Sequence, residues 1–130
     1  MAELTTVDGG KFTFDPASIV ALADHDANSG QAVTCIYGLS AGQLKINEPA
    51  GAFLDRIGIA SSFAKLTRPN GSLIWINGKA VSTLRAPLPG EYVSGVQTVI
   101  SVGSLTQGVT EDMAAARVAI NACRGKDSQL

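Results

Sequence analysis

Apolar residues recur at every second position in two short runs of the segment 64–78, and a turn sequence separates these runs. Alternation of this kind is typical of a strand with one buried face. Between the runs, Pro69 presets one backbone dihedral and Asn70-Gly71 tolerates positive φ, so the chain can reverse direction. The pattern therefore predicts a β-hairpin whose return strand runs from Leu73 to Asn77.

A weaker copy of this hairpin lies 62 residues earlier in the chain. The matching positions are Leu4 with Leu66, Thr5 with Thr67, Gly9 with Gly71, Phe12 with Ile74 and Phe14 with Ile76. Because the turn residues and the alternation recur together, the match predicts an internal duplication.

The copy continues downstream with small changes of spacing. Leu22 matches Leu84, residues 34–36 match 98–100, and residues 46–48 match 109–111. Turns between elements tolerate insertions of one or two residues, which accounts for the changes. We therefore predict a single domain over residues 1–130, with repeat one at about 1–62, repeat two at about 63–125 and a frayed tail at 126–130.

Each repeat is predicted to continue as further strands. In repeat one the strands are predicted at 2–7, 11–15, 19–23, 32–37 and 43–46. In repeat two the third and fourth strands are predicted at 81–85 and 96–102. The run at 32–37 is apolar on both faces, which favours a covered central strand.

Capping residues and apolar stripes predict one helix at the end of each repeat. Asn47 is the predicted N-cap of the first helix, and Thr110 is that of the second, which runs to about residue 122 or 123. The stripes consist of Ala50, Phe53, Leu54 and Ile57 in the first helix and of Met113, Ala116 and Ile120 in the second. The predicted fold class is α+β: two β-meander-plus-helix repeats related by a pseudo-twofold axis, with a mainly antiparallel sheet and two helices.

The charge pattern argues against nucleic acid as a partner. Hydrophobic residues make up 45% of the chain, charged residues only 16%, and the formal net charge is −1. The ten basic residues form no cluster, whereas phosphate binding needs a concentrated positive face. A surface with few charges favours association, so we expect a protein partner and a homo-oligomer.

No targeting or cofactor signature is recognisable in the sequence. The N-terminus has no charged leader with an apolar core, and no apolar run reaches about 18 residues, so we expect a cytoplasmic protein without membrane insertion. Cys35 and Cys123 have neither disulfide-framework nor metal-ligand spacing and are predicted to be buried or partly buried thiols. No phosphate-binding glycine motif occurs, and we expect no cofactor.

Oxygen-bearing side chains at alternate positions begin a segment with some likeness to a calcium loop. Asp24, Asp26 and Asn28 could supply the first ligands, but Cys35 stands where a bidentate acid is needed. A structural turn is the favoured interpretation, and the metal site is a weak candidate. His25, the only histidine, has no Ser or Cys beside it, so no nucleophile and base are paired and we expect no enzymatic activity.

Trp75 and Arg68 are the candidate interaction residues. Strand alternation places Trp75 on the face opposite Ile74 and Ile76, and tryptophan on an outer sheet face is often covered by a partner. The competing interpretation is packing within the same chain. Arg68 could bind an acidic partner or could be a solvated strand end.

The turn and cap residues of repeat two also carry a family resemblance. They are Leu66, Thr67, Arg68, Asn70 and Gly71 in the hairpin, then Val109, Thr110 and Glu111 before the helix. On these residues the repeat resembles the FlbD family of small flagellar-operon proteins, although Asp112 replaces the family's serine. Repeat one departs further, with Thr6 for the arginine and Asp8 for the asparagine. The resemblance implies the same fold and an accessory role at the flagellar motor.

These observations favour a non-catalytic interaction or structural protein that associates with itself. Its working surface is expected to be the outer face around Trp75 or an exposed sheet edge. The alternative is a small-ligand or metal-ion binding module, with a pocket between the repeats or with calcium at Asp24, Asp26 and Asn28.

Overall fold

The fold is α+β, with antiparallel sheets and two helices, as the sequence pattern predicts. The computed structural model describes residues 2–6, 9–26, 32–38, 44–69, 71–91 and 95–130; of residues 2, 24–26, 32 and 33 it describes the backbone.

The first half of the chain contributes five strands and a helix. They are β1 (Ala2–Thr5), β2 (Lys11–Phe14), β3 (Ala21–Asp26), β4 (Ala32–Tyr37), β5 (Leu44–Ile46) and α1 (Ala50–Ile57). The second half follows with β6 (Phe63–Thr67), β7 (Leu73–Asn77), β8 (Val81–Arg85), β9 (Thr98–Val102), β10 (Leu105–Val109) and α2 (Met113–Asn121). Short 3₁₀ turns lie at Pro16–Ser18, Ala60–Ser62, Gly78–Ala80 and Lys126–Ser128.

The strands form three antiparallel groups. β5-β4-β3-β7-β6 is a five-stranded sheet, β10-β9-β8 is a three-stranded sheet, and β1 and β2 form a separate hairpin. The two halves of the chain join at the β3–β7 pair, where Leu22 lies opposite Trp75. A single bridge between Thr6 and Ile46 connects the β1–β2 hairpin to β5.

Two hydrophobic cores lie on opposite sides of the five-stranded sheet. The first contains Leu4, Phe14, Leu22, Ile36 and Ile46 together with Phe53 and Leu54 of α1. The second contains Leu66, Ile74, Ile76, Ile100 and Val109 together with Ile120 of α2. β3 contributes to both cores, because Leu22 belongs to the first and its neighbours Ala21 and Ala23 to the second. Alternation along one strand thus ties the two halves together.

Both helices begin two residues later than the sequence predicts. Pro49 is the N-cap residue of α1, and Asp112 caps α2 by accepting a 2.8 Å hydrogen bond from Ala115 N–H. The predicted caps Asn47 and Thr110 are wrong. Thr110 N–H instead donates to Thr67 O at 2.9 Å, which holds the chain beside β6 between the end of β10 and the start of α2.

Two further sequence predictions are corrected. β3 begins at Ala21 rather than at residue 19, because Ile19 N–H donates to Pro16 O and closes a 3₁₀ turn. The tail at 126–130 is not frayed, since its end is hydrogen-bonded to α2. Leu130 N–H donates to Asn121 Oδ1 at 2.8 Å, and the Gln129 amide donates to Asn121 O at 3.0 Å.

The order of elements is the same in both halves, and several local hydrogen bonds recur at matched positions. The Asp15 side chain accepts from Ala17 N–H at 3.0 Å, as Asn77 does from Lys79 N–H at 3.1 Å. The buried hydroxyl of Thr34 donates to Glu48 O, and that of Thr98 donates to Glu111 O. These bonds concern single turns and strand ends, and the duplication and the pseudo-twofold relation stay predictions.

Candidate interaction surfaces

Trp75 lies in β7, an interior strand of the five-stranded sheet. It pairs with Leu22 on one side and with Lys65 on the other. Its half-buried ring packs against the first core, whereas Ile74 and Ile76 belong to the second core. The residue thus has intramolecular packing on its face of the sheet and also retains some exposed surface.

Arg68 supports the turn of its own hairpin. Its backbone N–H donates to Ser72 O at 2.8 Å, and its Nε donates to Ser72 Oγ at 2.9 Å. Gly71, with φ +87°, donates its N–H to Arg68 O and completes the reversal. The guanidinium also lies near Tyr37, whose pKa is raised by burial and by Cys35 and is lowered less strongly by Arg68.

The candidate metal-binding segment is not a turn at its beginning. Asp24, His25 and Asp26 belong to β3 and pair with residues 34, 33 and 32 of β4. The turn interpretation of these three residues is therefore wrong, because the ladder with β4 continues past the last apolar residue. Asn28, the third candidate ligand, lies outside the described residues, and the part of the chain with described side chains has no cluster of three or more His, Cys, Asp or Glu.

A groove of about 450 Å³ lies beside β1, where the sequence indicates no site. It is lined by Glu3, Leu4, Thr5, Thr6, Asn47, Glu48 and Arg56. Arg56 donates to both carboxylate oxygens of Glu48, at 2.9 and 3.1 Å, and its guanidinium lies 5.3 Å from the ring centre of Phe53. The guanidinium also donates to Glu3 O at 3.4 Å, so a charged pair lies against the outer side of β1.

The second half has a different arrangement at the matching position. There the Glu111 carboxylate accepts a hydrogen bond from Thr67 N–H, at 3.0 and 3.1 Å, and thereby ties β6 to the start of α2. In the first half Arg56 holds the equivalent acid, Glu48, whereas Ala119 stands at the position that matches Arg56. This exchange of a cation for alanine is the one sequence signal that could have indicated the groove.

Six strands lie at the ends of their sheets, namely β1, β2, β5, β6, β8 and β10. β1 is bridged to β5 through Thr6 and Ile46, and the chain after β10 is bonded to β6 through Thr110 N–H and Thr67 O. β2 and β8 are the end strands without such a backbone link in the described ranges. β2 has β1 on one side, and β8 has β9 on one side; on its other side neither has a partner strand among the described residues. The open side of β2 offers backbone groups for pairing. Gly10 O accepts from Thr6 N–H at 2.8 Å, so by alternation Phe12 and Phe14 direct their backbone groups to β1 and Thr13 directs its own away.

Both cysteines are free. Cys35 is buried in β4, and Cys123 is half-buried after α2, where burial raises the pKa of its thiol. The predicted placement of both thiols is confirmed.

Comparison with known protein families, with curated proteins and with solved structures finds no match for this chain. Neither helix in the described part of the chain is long and apolar enough to cross a membrane.

Proposed function

We propose that this chain is a non-catalytic interaction protein that associates with copies of itself through its sheet edges. The observation that carries the proposal is the pair of strands, β2 and β8, whose second sides have no partner strand in the described ranges. A strand edge is a row of backbone donors and acceptors that another strand can satisfy. The low fraction of charged residues, 16%, adds little repulsion between copies.

Trp75 and Arg68 remain proposed contact residues of a second surface. The exposed part of the Trp75 ring is available for contact, but the buried part packs on the first core. Trp75→Ala is expected to weaken association and also to lower the free energy of unfolding, whereas Trp75→Phe retains an aromatic ring in the core and serves as the matched control.

The experiment that tests self-association is sedimentation equilibrium of the wild-type chain over a range of concentrations. A mass that rises above the 13.4 kDa of one chain with concentration supports the proposal. A mass that stays at one chain at every concentration contradicts it.

A small-ligand module is the second candidate, and the groove beside β1 favours it. Arg56 offers a guanidinium to an anionic ligand, which would have to displace the Glu48 carboxylate. Calorimetry with small carboxylates on wild-type and Arg56→Gln protein tests this candidate, and heat that persists in the variant contradicts it. The metal-ion version, at Asp24, Asp26 and Asn28, is tested by titration with calcium, and absence of heat removes it.

The resemblance to the FlbD family supplies a setting for either candidate, an accessory role at the flagellar motor. Its support within this chain is the tie between Glu111 and Thr67, two residues that carry the resemblance. Loss of motility on deletion of the gene from a flagellated host would support this setting, and unchanged motility would contradict it.

A further inference from the structure

We propose that β2 of one chain pairs with β8 of a second copy, in the register that β7 and β3 adopt within one chain. This inference rests on the proposed self-association and names its contact. The partner is a second copy because the chain itself contains both strands of the pair.

The template is the pairing that joins the two halves. β3 and β7 are antiparallel, with Ala21 opposite Ile76, Leu22 opposite Trp75 and Ala23 opposite Ile74. Asn77 N–H extends this ladder with a 2.9 Å bond to Val20 O. β3 is the third strand of the first half and β7 is the second strand of the second half, so strands at these two positions can pair.

The counterparts of these strands are β8 and β2. A shift of 62 positions converts the third strand of the first half into β8, and the reverse shift converts β7 into β2. The template register then places Thr83 opposite Phe14, Leu84 opposite Thr13 and Arg85 opposite Phe12.

The backbone N–H and C=O of Thr13 lie on the open side of β2, where this contact would form. Thr13 points its N–H and C=O away from β1, as its counterpart Trp75 does from β6 when it pairs with Leu22. The outward groups of Thr13 would therefore bond to Leu84 of the second copy.

The side chains of the proposed pair also lie on compatible faces. Leu84 packs against the second core of its own chain, and Thr83 is exposed on the other face of β8. In β2, Phe14 packs in the first core and Thr13 is exposed on the opposite face. Pairing Leu84 with Thr13 and Thr83 with Phe14 therefore places an exposed threonine of one copy beside a core-packed residue of the other on each face of the contact.

The charges do not oppose the register. Lys11 at the start of β2 would face Ala86, and Asp15 just after β2 would face Ser82, so no like charges lie directly opposite each other. Because each chain has one β2 and one β8, two copies related by a twofold axis would form both contacts, and any other rotation would give a head-to-tail assembly.

Cysteine cross-linking tests the register. Thr13→Cys protein is mixed with Leu84→Cys protein under mild oxidation, both in a Cys123→Ser background, while Cys35 is retained because it is 2% exposed. Opposed strand residues lie about 5.5 Å apart between Cα atoms, within the range of a disulfide. The matched control replaces Leu84→Cys by Thr83→Cys, which is more exposed but points to the opposite face.

The expected result is a disulfide-linked pair of chains with Leu84→Cys that forms at least about tenfold faster than with Thr83→Cys. Equal or slower linking with Leu84→Cys, in protein that does self-associate, overturns the register and leaves the proposed function standing. A disulfide within one chain of the Thr13→Cys, Leu84→Cys double variant also overturns the inference, because β2 would then pair with β8 of the same chain. Wild-type protein that stays monomeric overturns both.

A backbone substitution provides an independent readout. Thr13→Pro removes the outward N–H without loss of a bond to β1 and is expected to weaken association at least about tenfold. Thr13→Val keeps the N–H and should leave association unchanged. Fluorescence of Trp75, the single tryptophan, verifies that both variants are folded. Equal association of the two variants contradicts the edge contact.

Discussion

Replacement of Gly78 by alanine should destabilise the protein, because the end of α2 leaves no room for a methyl group there. A Cβ on Gly78 would lie 2.6 Å from the Cβ of Cys123 and 3.0 Å from the carbonyl oxygen of Ile120. Arg124 holds this end of α2 in place, since its Nη1 donates to Gly78 O at 2.8 Å and to Val81 O at 2.9 Å. The helix end must therefore move for the methyl group to fit.

The expected cost follows from the size of that movement. Two carbon atoms without a bond between them need about 3.5 Å or more, so the last turn must shift by about 1 Å. Overpacking of this kind costs about 1–3 kcal/mol, and the lower entropy of an unfolded alanine offsets about 0.5–1 kcal/mol. Gly78→Ala should therefore lower the free energy of unfolding by about 1–2 kcal/mol.

Urea denaturation followed by Trp75 fluorescence measures this change. The matched control is Gly51→Ala in α1, where a Cβ meets nothing within 4 Å, and this variant should gain about 0.5–1 kcal/mol. Cys123→Gly removes the atom that clashes, so the double variant with Gly78→Ala should show a favourable coupling of about 1 kcal/mol. A stable Gly78→Ala variant, or an absence of coupling, would refute the packing argument.

Three further predictions concern single side chains. Thr34→Val and Thr98→Val should each lower the free energy of unfolding by about 1–3 kcal/mol, since each leaves a carbonyl without its buried hydroxyl donor. Urea denaturation should show similar losses for the two variants, and unequal losses would contradict the correspondence of Thr34 with Thr98. The hydrogen bonds from Arg85 lower the pKa of Glu91 from 4.5 to about 2. The ionised Glu91 therefore contributes fully to the stability of the folded state above pH 4.5, and this contribution disappears as the pH falls through about 2. A midpoint near 4.5 in an NMR titration of the side chain would contradict this. Cys123 should react with iodoacetamide at pH 8 more slowly in the folded chain than in the denatured chain, because burial raises the pKa of its thiol; equal rates by mass spectrometry would contradict it.

Turn chemistry made several strands predictable. The bounds of β4, β7 and β8 agree with the sequence pattern, because glycine and proline residues interrupt the apolar alternation close to the strand ends. Gly71 adopts the positive φ that the hairpin requires. Residue types near the turns therefore suffice to predict where these strands end.

Tertiary contacts explain the errors. The helices begin later than predicted because the hydroxyls of Thr34 and Thr98 donate to the carbonyls of Glu48 and Glu111, and these bonds keep the two glutamates outside the helices. Asp24–Asp26 looked like a loop, but β4 supplies a ladder partner for this polar stretch. Neither effect is visible in residue spacing.

The candidate surfaces were less predictable than the strands. The contact of Trp75 with the first core depends on the way β3 and β7 join, and strand alternation gives a face but not what covers it. The groove beside β1 depends on the pairing of Arg56 with Glu48 across the length of α1. A lone basic residue late in a short helix does not reveal such a pair.

The contribution of β3 to both cores has a mechanical consequence. Because β3 packs in both cores, loss of packing on one side of this strand also weakens packing on the other side, and we expect the two halves to unfold in a single transition. Cleavage of the connection after α1 would separate β3 from its neighbour β7, so we expect the two fragments to fold only when mixed. We therefore expect the two halves to behave as one cooperative unit, although each has its own helix.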